Sequence, residues 1–100
     1  MKSVKQKIEE QTAELKDIKA KRAQNGAQQN SIYARLEEMY DESEWEFDEY
    51  SSLQTAKEYT IKQGAQLHKQ EDKLIKKLTK LIKRRKIEPD DELKQLLNLN

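Results

Sequence analysis

Tyr40-Asp41-Glu42-Ser43-Glu44-Trp45-Glu46-Phe47 lies near the middle of a chain of 100 residues and holds its one tryptophan and its one phenylalanine. Two pairs in it, Asp41 with Glu44 and Ser43 with Glu46, have the spacing of a capping box. In such a box the short side chain accepts a bond from an orphan backbone amide and the Glu three residues on reaches back. A helix start in the middle of a chain that is helical on both sides implies a turn. The stretch therefore predicts two long helices, near 3–40 and 44–87, folded against each other as an antiparallel hairpin.

The flanks carry the seam such a hairpin needs. With Ile8 as position a of a seven-residue repeat, the a column includes Leu15, Leu36 and Leu78, and the d column Val4, Ile18, Ile32, Met39, Leu53, Leu67, Leu74 and Leu81. From Tyr33 onward a third column, e, is also largely apolar, with Tyr33, Tyr40, Phe47, Ile61, Ile75 and Ile82. A seam widening from two columns to three suits a bundle face. It is weak in two places, Arg22 to Gln29 and roughly Lys57 to Gly64. Folding the chain about residue 42 sets Asn25 opposite about residue 59 and Ile8 near Leu78, so polar layers meet polar and apolar meet apolar. No useful period-two alternation occurs, and strands are not expected.

A second layout reads Asn25-Gly26 as a turn, because glycine just past a helix is a common stop, and Gly64 as another. That gives a three-helix bundle with an acidic middle helix between two basic ones. The hairpin is preferred, since a helical glycine costs only ~1 kcal/mol relative to alanine. Beyond it, Glu88-Pro89-Asp90-Asp91-Glu92 reads as a stop and a fresh start, with proline suited to a first helical position. The domain reading is thus a hairpin over 1–88 and a short C-terminal helix and tail over 89–100, the helix running from Asp90 to about Leu97 with Leu93, Leu96 and Leu97 on one side.

Composition agrees with long helices: two glycines, one proline, 39% charged and 34% hydrophobic residues, and a mean hydropathy of −1.18. A net charge of only +1 argues against disorder, which requires low hydrophobicity and high net charge together. There is no cysteine, hence no disulfide or thiolate metal site. No apolar run follows Met1-Lys2-Ser3-Val4-Lys5-Gln6-Lys7, so neither a cleaved signal nor a membrane span is expected. The chain reads as cytoplasmic, or as exported by a route that does not use such a signal. Charge is strongly segregated: +3 over residues 1–30, −7 over 31–60, +8 over 61–87 and −3 over 88–100.

Catalytic motifs are missing. His68, the one histidine, has only Glu71 and Asp72 at helical spacing. Glu37-Glu38 and Asp48-Glu49 fall on outer helix positions without the buried setting that would split their pKa values. No phosphate loop, zinc-protease motif or nucleophile elbow occurs. The chain is expected not to be an enzyme, and no cofactor, metal or small-molecule substrate is expected. Its basic run, Lys73, Lys76, Lys77, Lys80, Lys83, Arg84, Arg85 and Lys86, lies mostly on solvent-side heptad positions. It reads first as a solvated or partner-facing surface, with Lys76, Lys80, Lys83 and Arg84 at its centre. Phosphate binding by a small regulatory nucleic-acid-binding protein is the alternative. A third reading is a phage- or plasmid-encoded inhibitor of one host protein.

Two helices of about forty residues with Trp45 at the central turn resemble the WXG family of small helical hairpins. More narrowly, the chain is similar to the small helical proteins encoded beside LXG toxins of Gram-positive type VIIb secretion systems. Trp45 matches the family tryptophan, while Phe47 stands where the glycine should be. No Tyr-x-x-x-Asp/Glu export signal follows the second helix, although Tyr33 and Glu37 have that spacing in the first. These departures set the chain nearer an adaptor or chaperone partner than a secreted member. The resemblance implies pairing with a second hairpin or with the helical N-terminal domain of a toxin. Independently, a two-helix seam leaves the e column outside. Tyr33, Phe47, Ile61, Ile75 and Ile82, together with the aromatic cluster Tyr40, Trp45 and Tyr50, are the expected partner-binding residues. Burying such side chains is worth ~1.5–3 kcal/mol each, enough to drive assembly into a four-helix bundle with a second copy or another helical protein.

Overall fold

A computed structural model describes residues 2–42 and 46–98. It is all-α: two long helices pack against each other as an antiparallel hairpin, followed by a short third helix. Helix α1 spans Val4–Asp41, α2 Phe47–Arg85 and α3 Asp91–Leu96. Both long helices run unbroken through Gly26 and Gly64, which sets aside the three-helix layout with turns at those glycines.

Three of the helix ends have an identifiable cause. Helix α1 begins in a reciprocal capping box that the sequence reading missed: the Gln6 amide donates to Ser3 Oγ at 3.1 Å, and the Ser3 amide donates to Gln6 Oε1 at 3.0 Å. Ser43 and Glu44, on which both predicted capping boxes depend, lie outside the described residues. The first helical bond of α2 runs from the Tyr50 amide to the Glu46 carbonyl at 3.1 Å, so the helix starts a few residues later than expected. Asp48 and Glu49 sit in its first turn and Lys83, Arg84 and Arg85 in its last, each sign opposite to the partial charge of that helix end.

Helix α2 stops in a Schellman turn. Lys86 is left-handed at φ 55; its amide donates to the Lys83 carbonyl and that of Ile87 to the Ile82 carbonyl at 3.0 Å. These are the two bonds that define the motif. Pro89 then precedes the cap instead of occupying the first helical position. The cap is Asp90, which accepts from the Leu93 amide at 2.8 Å.

By internal packing the chain divides into two units, Met1–Ala20 with His68–Asn100, and Lys21–Leu67. The first has an apolar core of Leu15, Leu74, Leu78, Ile82, Leu93 and Leu97, with Ile8, Ile18, Ile75, Ile87 and Leu96 against it. Leu15 and Leu78 are wholly buried, and Ile8 joins the cluster of Leu78 as the folding about residue 42 requires. Ile82 was expected to stay exposed and is buried: α3 folds back, and its Leu93 and Leu97 enter the same cluster. Lys16 pairs with Glu92 and Lys19 with the buried Glu71 at 3.4 Å.

The second unit buries Leu36, Met39 and Leu67, and with them the polar Asn25 and Thr60. Asn25 Nδ2 donates to the Thr60 carbonyl at 3.0 Å, and Gln29 Nε2 donates to Asn25 Oδ1 at 2.8 Å. The two weak zones of the seam thus meet in a hydrogen-bonded polar layer. Gly64 makes room for it: a Cβ there would lie 2.8 Å from Asn25 Oδ1.

Candidate partner-docking surface

The large apolar side chains left exposed among the described residues are Tyr33 (42%), Tyr40 (78%), Phe47 (72%), Tyr59 (65%) and Ile61 (45%). All five belong to the unit Lys21–Leu67. The first unit leaves none among its described residues, and Leu93 and Leu97 at its C-terminal end pack into its apolar cluster.

Four of the five share a face. Tyr33 and Tyr40 are seven residues apart on α1, and Phe47, Gln54 and Ile61 are spaced by seven on α2, so each set drifts by only about 20° per step. A groove lined by Tyr33, Leu36, Glu37, Tyr40, Gln54 and Lys57 joins the two helices on this side. A second groove on the same side, which includes Gly26, Gln29, Ile61 and Ala65, continues it. Gly26 and Ala65 add little bulk there, and a Cβ at Gly26 would meet nothing within 4 Å. Lys57 Nζ stands 5.4 Å from the Tyr33 ring centroid, within cation–π range, and keeps that ring at the groove wall. Tyr59 lies on another face of α2, beside Asp48, Ser51, Ser52, Thr55 and Ala56.

Arg35 ties the two helices of this unit together away from the rings, more than about 100° around α1 from Tyr33 and Tyr40. Its Nε and Nη2 donate to the two carboxylate oxygens of Glu49 at 2.6 and 3.1 Å, and its Nη1 donates to Glu42 at 2.8 Å and Glu38 at 3.2 Å. A fork of this geometry is stronger and more directional than a lysine pair. The bond from Arg35 holds the Glu49 carboxyl below the usual range, and the three carboxylates, Glu49 first, hold the guanidinium still more firmly protonated. Sequence reasoning passed over this hub; the signal was one arginine in a block with nine acidic residues and only two basic ones.

The remaining expected positions are distributed unevenly. Tyr50 is half-buried in the second unit, while Ile75 is half-buried and Ile82 buried in the first. Trp45 lies outside the described residues. Tyr59 was not singled out, because its heptad position lies off the three apolar columns. Lys76, Lys80, Lys83 and Arg84 are exposed, as is His68. No group of three or more His, Cys, Asp or Glu among the described residues is placed to hold a metal ion. No helix among them is long and apolar enough to cross a membrane. No protein family model, curated protein or solved structure matches the chain.

Proposed function

We propose that the chain is a non-enzymatic helical interaction module that docks another helical protein on the face carrying Tyr33, Tyr40, Phe47 and Ile61. The observation that carries this is the asymmetry of burial. One unit closes its own apolar core, while the other leaves its rings and Ile61 in water along a groove between two helices. Aromatic side chains are the residues that most often anchor protein interfaces, and a helix laid into a groove completes a bundle. In the role that fits the resemblance, the module is an adaptor or chaperone-like partner that stabilises or targets a helical domain, such as the N-terminal domain of a type VII secretion toxin.

Co-expression with such a domain tests the reading. A stable complex is expected by size exclusion with light scattering, and Tyr40→Lys with Phe47→Lys abolishes it without loss of helical circular dichroism. The groove takes a second copy if the purified chain alone associates with rising concentration and the same pair of changes prevents it. A well-folded monomer at every concentration that also leaves the helical domain unbound refutes the proposal.

A further inference from the structure

The first unit carries a surface that the docking proposal does not use. At about 100° per residue, Lys69, Lys73, Lys76, Lys77, Lys80, Lys83 and Arg84 fall within a sector of about 120° on α2. Between residues 69 and 84 that sector holds no other residue. Its centre lies roughly opposite the side on which Leu74, Leu78 and Ile82 enter the core. All seven are exposed, and none is ion-paired with a described carboxylate, although Lys16 and Lys19 of the same unit are. Cations in the last turn complement the helix end, but a stripe reaching back four turns exceeds what that effect rewards.

The stripe is about 22 Å long at 1.5 Å per residue, or one positive charge per roughly 3 Å. A DNA strand presents one phosphate per about 3.4 Å of axis. Six of the seven cations are lysine, a residue depleted from protein–protein interfaces. Aromatic side chains, on which a single strand would stack, are missing from the sector. Leu74, Leu78 and Ile82 of this helix segment are buried in the core and Ile75 packs against it, which leaves the segment without the broad hydrophobic face that inserts into a lipid surface.

We infer that this stripe is a sequence-independent docking surface for the phosphate backbone of duplex nucleic acid. It is independent of the groove on the other unit, and either can fail without the other.

The test is fluorescence anisotropy of the purified chain with a labelled mixed-sequence DNA duplex, against a single strand of the same length and vesicles containing phosphatidylserine. Binding is expected at low salt, weakening with a slope of log K on log salt of about −4 to −6, at about −0.9 per phosphate neutralised. Lys76→Glu, Lys80→Glu and Lys83→Glu together should weaken binding at least tenfold and flatten the slope by about three, with helicity unchanged. Replacing the same three by arginine should preserve it. The charge-matched change Lys2→Glu, Lys5→Glu and Lys7→Glu should cost much less; an equal loss would mean that net charge, not the stripe, drives binding. No retention at low salt, tighter binding of the single strand, or binding to vesicles alone overturns the inference.

Discussion

Two glycines illustrate how local surroundings reverse the effect of one substitution. Gly26 and Gly64 are both helical, and alanine is preferred to glycine in a helix by about 1 kcal/mol. A methyl at Gly26 meets open space, so Gly26→Ala should raise stability by up to about 1 kcal/mol, seen as a higher thermal midpoint. At Gly64 the methyl would push on Asn25 Oδ1 at 2.8 Å, an atom that cannot swing away without losing its bond from Gln29 and disturbing the one from Asn25 to Thr60. A buried polar group left unpaired costs about 1–3 kcal/mol, more than the propensity gain, so Gly64→Ala should destabilise. In an Asn25→Ala background the same change should become neutral or stabilising; an unaltered penalty there would place its origin elsewhere. Lys86 presents the opposite case, a side chain where the backbone favours glycine. Its left-handed conformation costs an L-residue about 1–2 kcal/mol, and Lys86→Gly should recover about 1 kcal/mol by denaturant titration.

At the level of elements, the clamp between α1 and α2 has a pH dependence with a defined sign. Arg35 stays protonated throughout the acid range, so Glu49 alone titrates in that pair there. Its carboxyl is held below the ordinary value of 4.5 by the bond from Arg35. The contribution to stability is therefore complete above 4.5 and is lost as pH falls through the lowered value. Thermal midpoints of the wild type and Glu49→Gln should differ by a constant amount from neutrality down to about 4.5, converge as pH falls from there, and coincide below the lowered value. A gap that persists in strong acid would mean that the change acts through something other than ionisation. No local helical spacing joins Arg35 to Glu49, and the clamp was readable only through the reversal: the folding about residue 42 that sets Asn25 opposite residue 59 sets Arg35 opposite residue 49. The long helices themselves were legible because a and d residues such as Leu15, Leu36, Leu74 and Leu78 keep the period, and because two polar gaps mirror each other about the turn. Asn25-Gly26 has the look of a turn, yet the asparagine faces inward onto Thr60 and the long flanking seams absorb the glycine. Ile82 was misplaced for a related reason: a heptad counts neighbours in the hairpin only, and the side that α3 covers is invisible to it.

In the molecule as a whole, apolar closure and charge divide the same way. The unit with the leucine core carries a net +5 and the unit with the exposed rings −4, counted over their residues in the sequence. Charge blocks along the chain were readable at the outset, and so was the exposure of Tyr33, Phe47 and Ile61; the burial of Ile82 was not, because that depends on where α3 lies. Stability should follow the core. A cluster of six buried leucine and isoleucine residues is worth more than a layer built on Asn25 and Thr60, where hydrogen bonds to water are exchanged for bonds of nearly equal strength. Amide exchange followed by mass spectrometry should therefore show the strongest protection over residues 8–18 and 71–82, and weaker protection over 29–41 and 47–60, since local opening follows the density of buried apolar contacts. Leu78 is wholly buried, and Leu78→Ala should remove about 2–5 kcal/mol, accelerating exchange first in the segments that share its cluster. Uniform protection along both long helices, or a Leu78→Ala effect no larger in residues 8–18 than in 29–41, would show that the apolar cluster is not what secures the hairpin.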